Sequence, residues 1–119
     1  MSSINEILAQ LVGEVDGAMV ALLGDSDSGM LLASAGTGLD VEVAAAGNTE
    51  VMSAKMKTMK MLGLNDSIED ILITLGKQYH LLRPLAKHEG LFLYSVLDKS
   101  KSNLALARRS SVETERSLG

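Results

Sequence analysis

The sequence predicts an α+β fold in three layers, with helices on both faces of a five-stranded antiparallel sheet. Two of the observations behind this are Gly17 to Leu23 (GAMVALL) and Leu91 to Leu97 (LFLYSVL), short segments that are apolar at nearly every position. Such runs are the pattern of central strands buried on both sides, so helices must lie on both faces of the sheet. The third is Leu39 to Leu64 (LDVEVAAAGNTEVMSAKMKTMKMLGL), a long stretch rich in alanine and methionine whose apolar residues recur at helical spacing.

Each element has its own local cause. Ser2 or Ser3 can cap a first helix, and Glu6, three residues after Ser3, completes a capping box. Ile4, Ile7, Leu8, Leu11 and Val15 follow at helical spacing. After the strand over 17–23, Asp25-Ser-Asp-Ser-Gly29 is turn chemistry, and Met30 to Ala35 (MLLASA) resumes the apolar run, which makes a hairpin. Ala35-Gly-Thr-Gly38 leads into the long helix, with Asp40 as N-cap and Gly63 as C-terminal stop. Asn65 and Asp66 turn the chain. Ile68 to Leu75 reads as a third strand with Ile71, Ile73 and Leu75 on one side. Gly76-Lys77 makes a tight turn into a fourth strand, in which Tyr79, Leu81 and Arg83 alternate with His80, Leu82 and Pro84. Pro84, the only proline, has no N–H for a ladder and marks a strand end or an edge. Lys87-His-Glu-Gly90 turns into the fifth strand, and Asp98 to Ser102 connects it to a last helix beginning near Asn103, with Leu104 and Ala107 inward. Its charged end, SSVETERS, is expected to fray, leaving residues 112–119 as the loose end of a single domain over 1–119.

The long helix carries more apolar surface than one sheet covers. At 100° per residue, Val41, Ala44, Ala45, Val51, Met52, Met56, Met59 and Leu62 share a broad face, with Glu42, Thr49, Glu50, Ser53, Lys57 and Lys60 opposite. A narrower strip carries Val43, Ala54 and Met61. Asn48 and Lys55 lie within the main apolar sector, where a buried Lys is costly unless it is paired or reaches water. Either Lys55 snorkels, or the sector is split between a half packed on its own sheet and a half facing another chain. Methionine is unbranched and adapts to irregular partners, so Met52, Met56, Met59 and Met61 suit such a surface, although methionine stripes are more often plain core.

Composition bounds the function. The chain has 119 residues, enough for one domain with a real core. Fifteen acidic against eleven basic residues give a net charge of −4, which argues against broad binding to nucleic acid or anionic membranes. Three aromatic residues in all make base stacking a poor proposition. Cysteine is absent, which removes disulfides, thiolate nucleophiles and cysteine zinc sites. MSSINEILAQLVGEV lacks a basic segment ahead of an apolar run, and no apolar run reaches membrane-spanning length, so a cytoplasmic protein without membrane insertion is expected. An apolar content of 46% in a small acidic protein leans toward oligomer formation.

Three local patterns, in this order of elements, carry a resemblance. They are the hairpin Asp27-Ser-Gly-Met-Leu-Leu-Ala-Ser34, the small-residue start of the long helix, Ala44-Ala-Ala-Gly-Asn48, and the segment Leu91 to Arg108 with Asp98, Asn103, Leu104, Leu106 and Arg108. From Ile4 to Val112 the chain resembles the Roadblock (dynein light-chain) family, particularly its bacterial and archaeal MglB-type members. The resemblance implies a profilin-like Roadblock fold, with the long helix on one face of the sheet and the two terminal helices on the other. It also implies a homodimer in which the third strands join two sheets into one and the long helices lie side by side. Asn48, Val51, Met52, Lys55, Met56 and Met59 of the helix, with Ile71 and Ile73 of the third strand, are then the dimer or partner interface. Glu69 and Asp70 would meet their dimer mates at that seam, at an electrostatic cost. Members of the family bind small Ras-like GTPases as regulators or scaffolds; MglB-type members can accelerate GTP hydrolysis, and others link motor or signalling complexes.

Other constellations are weaker. Gly24-Asp-Ser26 looks like the start of a GDSL hydrolase, but the chain is too short for that fold and neither His80 nor His88 follows in a suitable ending. Asp25-x-Asp27-x-Gly29 resembles a calcium loop with Gly36 where the bidentate Glu belongs. Gly36-Thr-Gly38 lacks the Lys and the longer loop of a nucleotide site, and two isolated histidines make a poor metal site. No cofactor or metal is therefore expected. Arg83, Arg108, Arg109 and Arg116 are the only arginines that could reach a partner's nucleotide; Arg108 and Arg109 read as surface charges and Arg83 as an edge charge that discourages sheet aggregation. Arg109 and Glu113 form an i,i+4 pair. Ser110 and Ser111, after two arginines, are a possible modification site, more simply read as exposed filler. These observations favour a non-enzymatic protein that regulates or scaffolds a small GTPase, with a structural adaptor indifferent to nucleotide as the alternative.

Overall fold

The computed structural model describes residues 3–119, so the alternative cap Ser2 lies outside the described residues. The elements are α1 (Ile4–Glu14), β1 (Ala18–Asp25), β2 (Met30–Gly36), α2 (Val41–Met61), β3 (Ile71–Thr74), β4 (Gln78–Pro84), β5 (Leu91–Asp98) and α3 (Leu104–Leu118). The strands form one antiparallel sheet in the order β2-β1-β5-β4-β3. α2 covers one face, over β1 and β2, and α1 and α3 pack together on the other.

The caps sit where sidechain chemistry requires them. Ser3 accepts from the Glu6 N–H at 3.2 Å, and its hydroxyl donates to the Glu6 carboxylate at 3.2 Å. Asp40 accepts from the N–H groups of Glu42 and Val43, both at 3.1 Å, and Asn103 from Leu106. α2 ends in a Schellman motif: Leu64 N–H donates to the Met59 carbonyl and Gly63 N–H to Lys60, with Gly63 at φ +70°.

β5 lies between β1 and β4 and alternates between two cores. Phe92, Tyr94 and Val96 point toward α2, where they meet Leu22, Leu82, Ala45 and Met52. Leu93 and Leu97 point toward Leu8, Leu11 and Val15 of α1 and Ala107 of α3. The β1–β2 register shifts between Leu23 and Gly24, leaving Leu32 as the extra residue of a β-bulge on an edge strand. Gly24 itself underlies the Phe92 ring: a Cβ there would stand 2.5 Å from Phe92 Cζ.

Three boundaries differ from expectation. β3 is four residues long rather than spanning 68–75, because side chains hold the residues before it: Arg108 binds Asp70, and an Arg83 guanidinium N–H reaches the Glu69 carbonyl at 3.4 Å. Leu75 leaves the ladder and is exposed, its N–H donating to the Gln78 carbonyl at 2.8 Å in the turn. The expected fraying over 112–119 also has no counterpart, since α3 is helical to Leu118. Thr114 is buried, and Glu115 accepts from Arg83 Nε at 2.6 Å and from the Ala86 N–H at 2.8 Å. Arg83 is therefore no edge charge: β4 lies inside the sheet, and Arg83 fastens it to the last turns of α3.

Two outcomes follow. Gly24→Ala should destabilise the fold by about 1–3 kcal/mol through overpacking against Phe92, read from the midpoint of urea unfolding. Burial pushes the Glu115 carboxyl up, but the Ala86 N–H and the Arg83 side chain outweigh it and hold it below its ordinary value of 4.5. A carboxyl depressed on folding contributes stability above its unfolded pKa and loses it as pH falls through the folded one. Glu115→Gln should therefore flatten the fall of stability in acid below 4.5, measured as melting temperature against pH.

Candidate partner interface

α2 uses little of its apolar surface on its own chain. Of its 21 residues only Ala45 and Met52 are buried. Met52 is 3% exposed, so this methionine, expected at the interface from periodicity and from the family resemblance, belongs instead to the core beneath α2. Met56 is 57% exposed and Val51 36%, with Lys55 also exposed and Asn48 and Met59 half-buried. Lys55 thus keeps its ammonium in water. Asn48, Val51 and Lys55 fall within about 60° of one another at helical spacing, on one flank of α2.

That flank adjoins an open part of the sheet. Because α2 lies over β1 and β2, the other end of the same face, with Ile71 and Ile73 of β3 and Gln78 and His80 of β4, is only half-buried. Ile71 and Ile73 pack at the margin of the core under α2. β3 pairs with β4 alone, so its outer edge is free among the described residues. The structure thereby brings Asn48, Ile71 and Ile73 to one face. Met56 and Met59 instead line an open cavity of about 470 Å³ at the end of α2, with Leu64, Ile68, Arg83 and Pro84 among its walls.

A polar chain crosses this face, and periodicity did not reveal it. Asn48 Nδ2 donates to the Ala44 carbonyl of its own helix at 2.8 Å. Tyr94 Oη and His80 Nδ1 are 2.7 Å apart, His80 Nε2 and Gln78 Oε1 2.9 Å, and the Gln78 amide nitrogen faces Met19 Sδ at 3.8 Å. The imidazole stands edge-on to the Tyr94 ring, centroids 5.6 Å apart at 80°. With the Gln78 carbonyl oxygen toward the ring, Nε2 carries the hydrogen and Nδ1 accepts from the Tyr94 hydroxyl. Burial lowers the His80 pKa and raises that of Tyr94. The available signal was that Gln78 and His80 are two polar residues on the strand face that also carries Leu82.

Asp70, beside the β3 edge, is paired. Arg108 binds Asp70 with both carboxylate oxygens, at 3.0 and 3.2 Å, so it is more than a surface charge. Arg109 and Glu113 do form the exposed i,i+4 pair, at 3.5 Å. Ser111 is buried and its hydroxyl donates to the Ala107 carbonyl, which removes it as an accessible modification site.

The remaining chemical constellations are turns. Ser26 Oγ donates to the Gly90 carbonyl at 2.7 Å rather than to a base, and His88 Nε2 sits 2.8 Å from the Gly119 carbonyl. Asp25 accepts from the Asp27 N–H and the Ser28 hydroxyl, closing the hairpin. The Thr37 N–H is already bonded to the Met19 carbonyl. Among the described residues no three His, Asp or Glu side chains gather at metal-binding distance, and no helix is long and apolar enough to cross a membrane.

Neither a protein-family model nor a curated protein matches the sequence. Solved structures do match. A Roadblock/LC7 domain from Streptomyces avermitilis superposes with a TM-score of 0.86 at 16% identity, covering 98% of this chain and 95% of that one. MglB from Myxococcus xanthus gives 0.84 at 21% identity over 97% and 90% of the two chains. An MglB with a tetrameric arrangement gives 0.82 at 19% identity over 99% and 89%. Agreement along almost the whole length of both chains, at identities too low to carry more than architecture, establishes that this chain has the Roadblock/LC7 fold.

Proposed function

We propose that this protein is a single Roadblock-type domain acting in the cytoplasm as a non-enzymatic regulator or scaffold of a small Ras-like GTPase, and that it works as a homodimer. The observation that carries the reading is the half-open face beside α2, where the exposed flank of Asn48, Val51 and Lys55, the half-buried Ile71 and Ile73, and the free edge of β3 adjoin one another. A second copy placed edge to edge at β3 pairs the free strand and covers this face with its own α2. The electrostatic cost expected at the seam is reduced, because Asp70 is neutralised within its own chain by Arg108. Met56 and the outer residues of α2 remain for the GTPase. Three of the four arginines, Arg83, Arg108 and Arg109, have a carboxylate partner within the chain, which supports a conformational role over a direct one on nucleotide; Arg116 is exposed and forms no ion pair among the described residues.

Capture from lysate, run in parallel with a GTP analogue and with GDP, tests the partner. A small GTPase retained mainly in one nucleotide state supports the regulator; equal retention of other proteins in both states favours the adaptor. Substitutions in α2 separate surface from core. Met56→Asp and Val51→Asp should leave a folded protein that has lost self-association or GTPase capture, whereas Met52→Asp should unfold it, at a cost of about 3 kcal/mol or more for an unpaired buried charge. Circular dichroism and sedimentation velocity on the three variants read both effects. A folded Met52→Asp dimer contradicts the division between core and surface.

A further inference from the structure

Met56 and the end of α2 are left to a partner, and the cavity there defines what that partner must carry. We infer that this cavity is a docking site for a polypeptide in which a large apolar side chain stands beside a lysine or arginine. The apolar side chain enters between Met56, Met59, Leu64, Ile68 and Pro84, and the cation meets Asp66 and Glu69, which line the same cavity. This adds a partner chemistry to the proposed function and rests on it only in giving the end of α2 to another protein.

The cavity is built by the fold itself. Gly63 closes α2, and the Leu64 N–H bonds back to the Met59 carbonyl at 3.0 Å, so that Leu64 begins the segment forming one wall. The far end of that segment is tied twice, by the Arg83 guanidinium on the Glu69 carbonyl at 3.4 Å and by Arg108 on both carboxylate oxygens of Asp70. Leu85, a buried residue of the core, lines the cavity from within, and the volume of about 470 Å³ lies in the range of natural ligand sites. Walls held at both ends need little further ordering when a partner arrives.

The border of the cavity points to a polypeptide rather than a small molecule. Met56 and Leu64 on its wall, and Met61 and Leu62 at the same end of the helix, are each more than half exposed. A small ligand fills the floor and leaves this apolar border in water, whereas a chain covers both. The methionines adapt to an irregular partner. The charges then select the sign. Arg83 and Glu115 also line the cavity, but they neutralise each other at 2.6 Å. Lys60 lies in the last turn of α2, where the negative end of the helix dipole already favours a cation. Asp66 and Glu69 are exposed, and neither forms an ion pair among the described residues. It is the Glu69 carbonyl, not its carboxylate, that Arg83 takes. Two unpaired carboxylates beside an apolar hollow complement a cation next to an apolar side chain.

The test selects binders from a phage-displayed library of random dodecapeptides on the wild-type protein and measures each by titration calorimetry. The selected peptides should carry a large apolar residue next to Lys or Arg, and should bind more weakly at about 300 mM than at about 50 mM salt. Two substitutions at exposed wall positions should each weaken them roughly tenfold: Ser67→Trp, which fills the cavity, and Glu69→Lys, which reverses a charge and keeps the carbonyl bond to Arg83. Circular dichroism checks the folding of both. In the wild type, binding must shift the NMR methyl signals of Met56, Met59 and Ile68, so the decision does not hang on the variants. An acidic or uncharged consensus, equal affinity for both variants, methyl shifts elsewhere or no selected peptide overturns the inference. Sedimentation velocity separates a second copy from a different partner: self-association should be the same in the variants as in the wild type, and its loss in either gives the cavity to a second copy and overturns the inference. A cavity-dependent peptide in a protein that captures no GTPase refutes the regulator and leaves the docking site standing; GTPase capture without any such peptide does the reverse.

Discussion

The whole molecule depends on the burial of β5 from both sides. Six consecutive residues of this strand, Phe92 to Leu97, are buried, and their alternation divides the protein into two cores. Phe92, Tyr94 and Val96 require a cover that α2 provides, while Leu93 and Leu97 require the pair α1 and α3. Each of these side chains contributes about 1.5–3 kcal/mol on burial, and the two sets, on opposite faces, cannot both be covered by one helix layer. The three-layer architecture and the position of β5 between β1 and β4 both follow from that constraint.

The two layers are not equally satisfied. On the α1 and α3 side, apolar packing is reinforced by ties that reach the last turn of the chain, Arg83 with Glu115 and Glu115 with the Ala86 N–H. On the α2 side, a 21-residue helix rests on two buried residues and leaves Val43, Met56, Met61, Leu62 and Leu64 exposed nearby. An apolar surface of this kind beside a free strand edge is the common property of protein interfaces. The asymmetry is the physical basis for reading one face as structural and the other as the face that meets partners.

Polar groups on the two sides differ in the same sense. Arg83–Glu115 and Arg108–Asp70 are charged pairs that join distant parts of the chain and hold them in register. The bonds that join buried Tyr94 to half-buried His80 and Gln78 are between neutral groups. His80 is the most basic of these groups, and it lies on the half-buried part of the sheet face that α2 leaves uncovered.

Much of the fold was legible in the amino-acid order, because its causes are local. Ser3, Asp40 and Asn103 cap helices through their own side chains, Gly63 supplies the positive φ of a helix end, and the apolar runs at 17–23 and 91–97 admit only buried strands. The hairpin turn and the long helix follow in the same way, and with them the motifs that resemble the Roadblock family. Only the tertiary structure decided which α2 methionine is core and which is surface, since Met52 and Met56 share one helical face and differ only in what lies beneath them. It likewise decided that Arg83 and Arg108 are ties rather than surface charges, and that α3 stays helical to Leu118, because their carboxylate partners lie 32 and 38 residues away in the chain. Periodicity reports which residues share a side of an element. What that side faces is a property of packing between elements, and packing is decided by the whole chain at once.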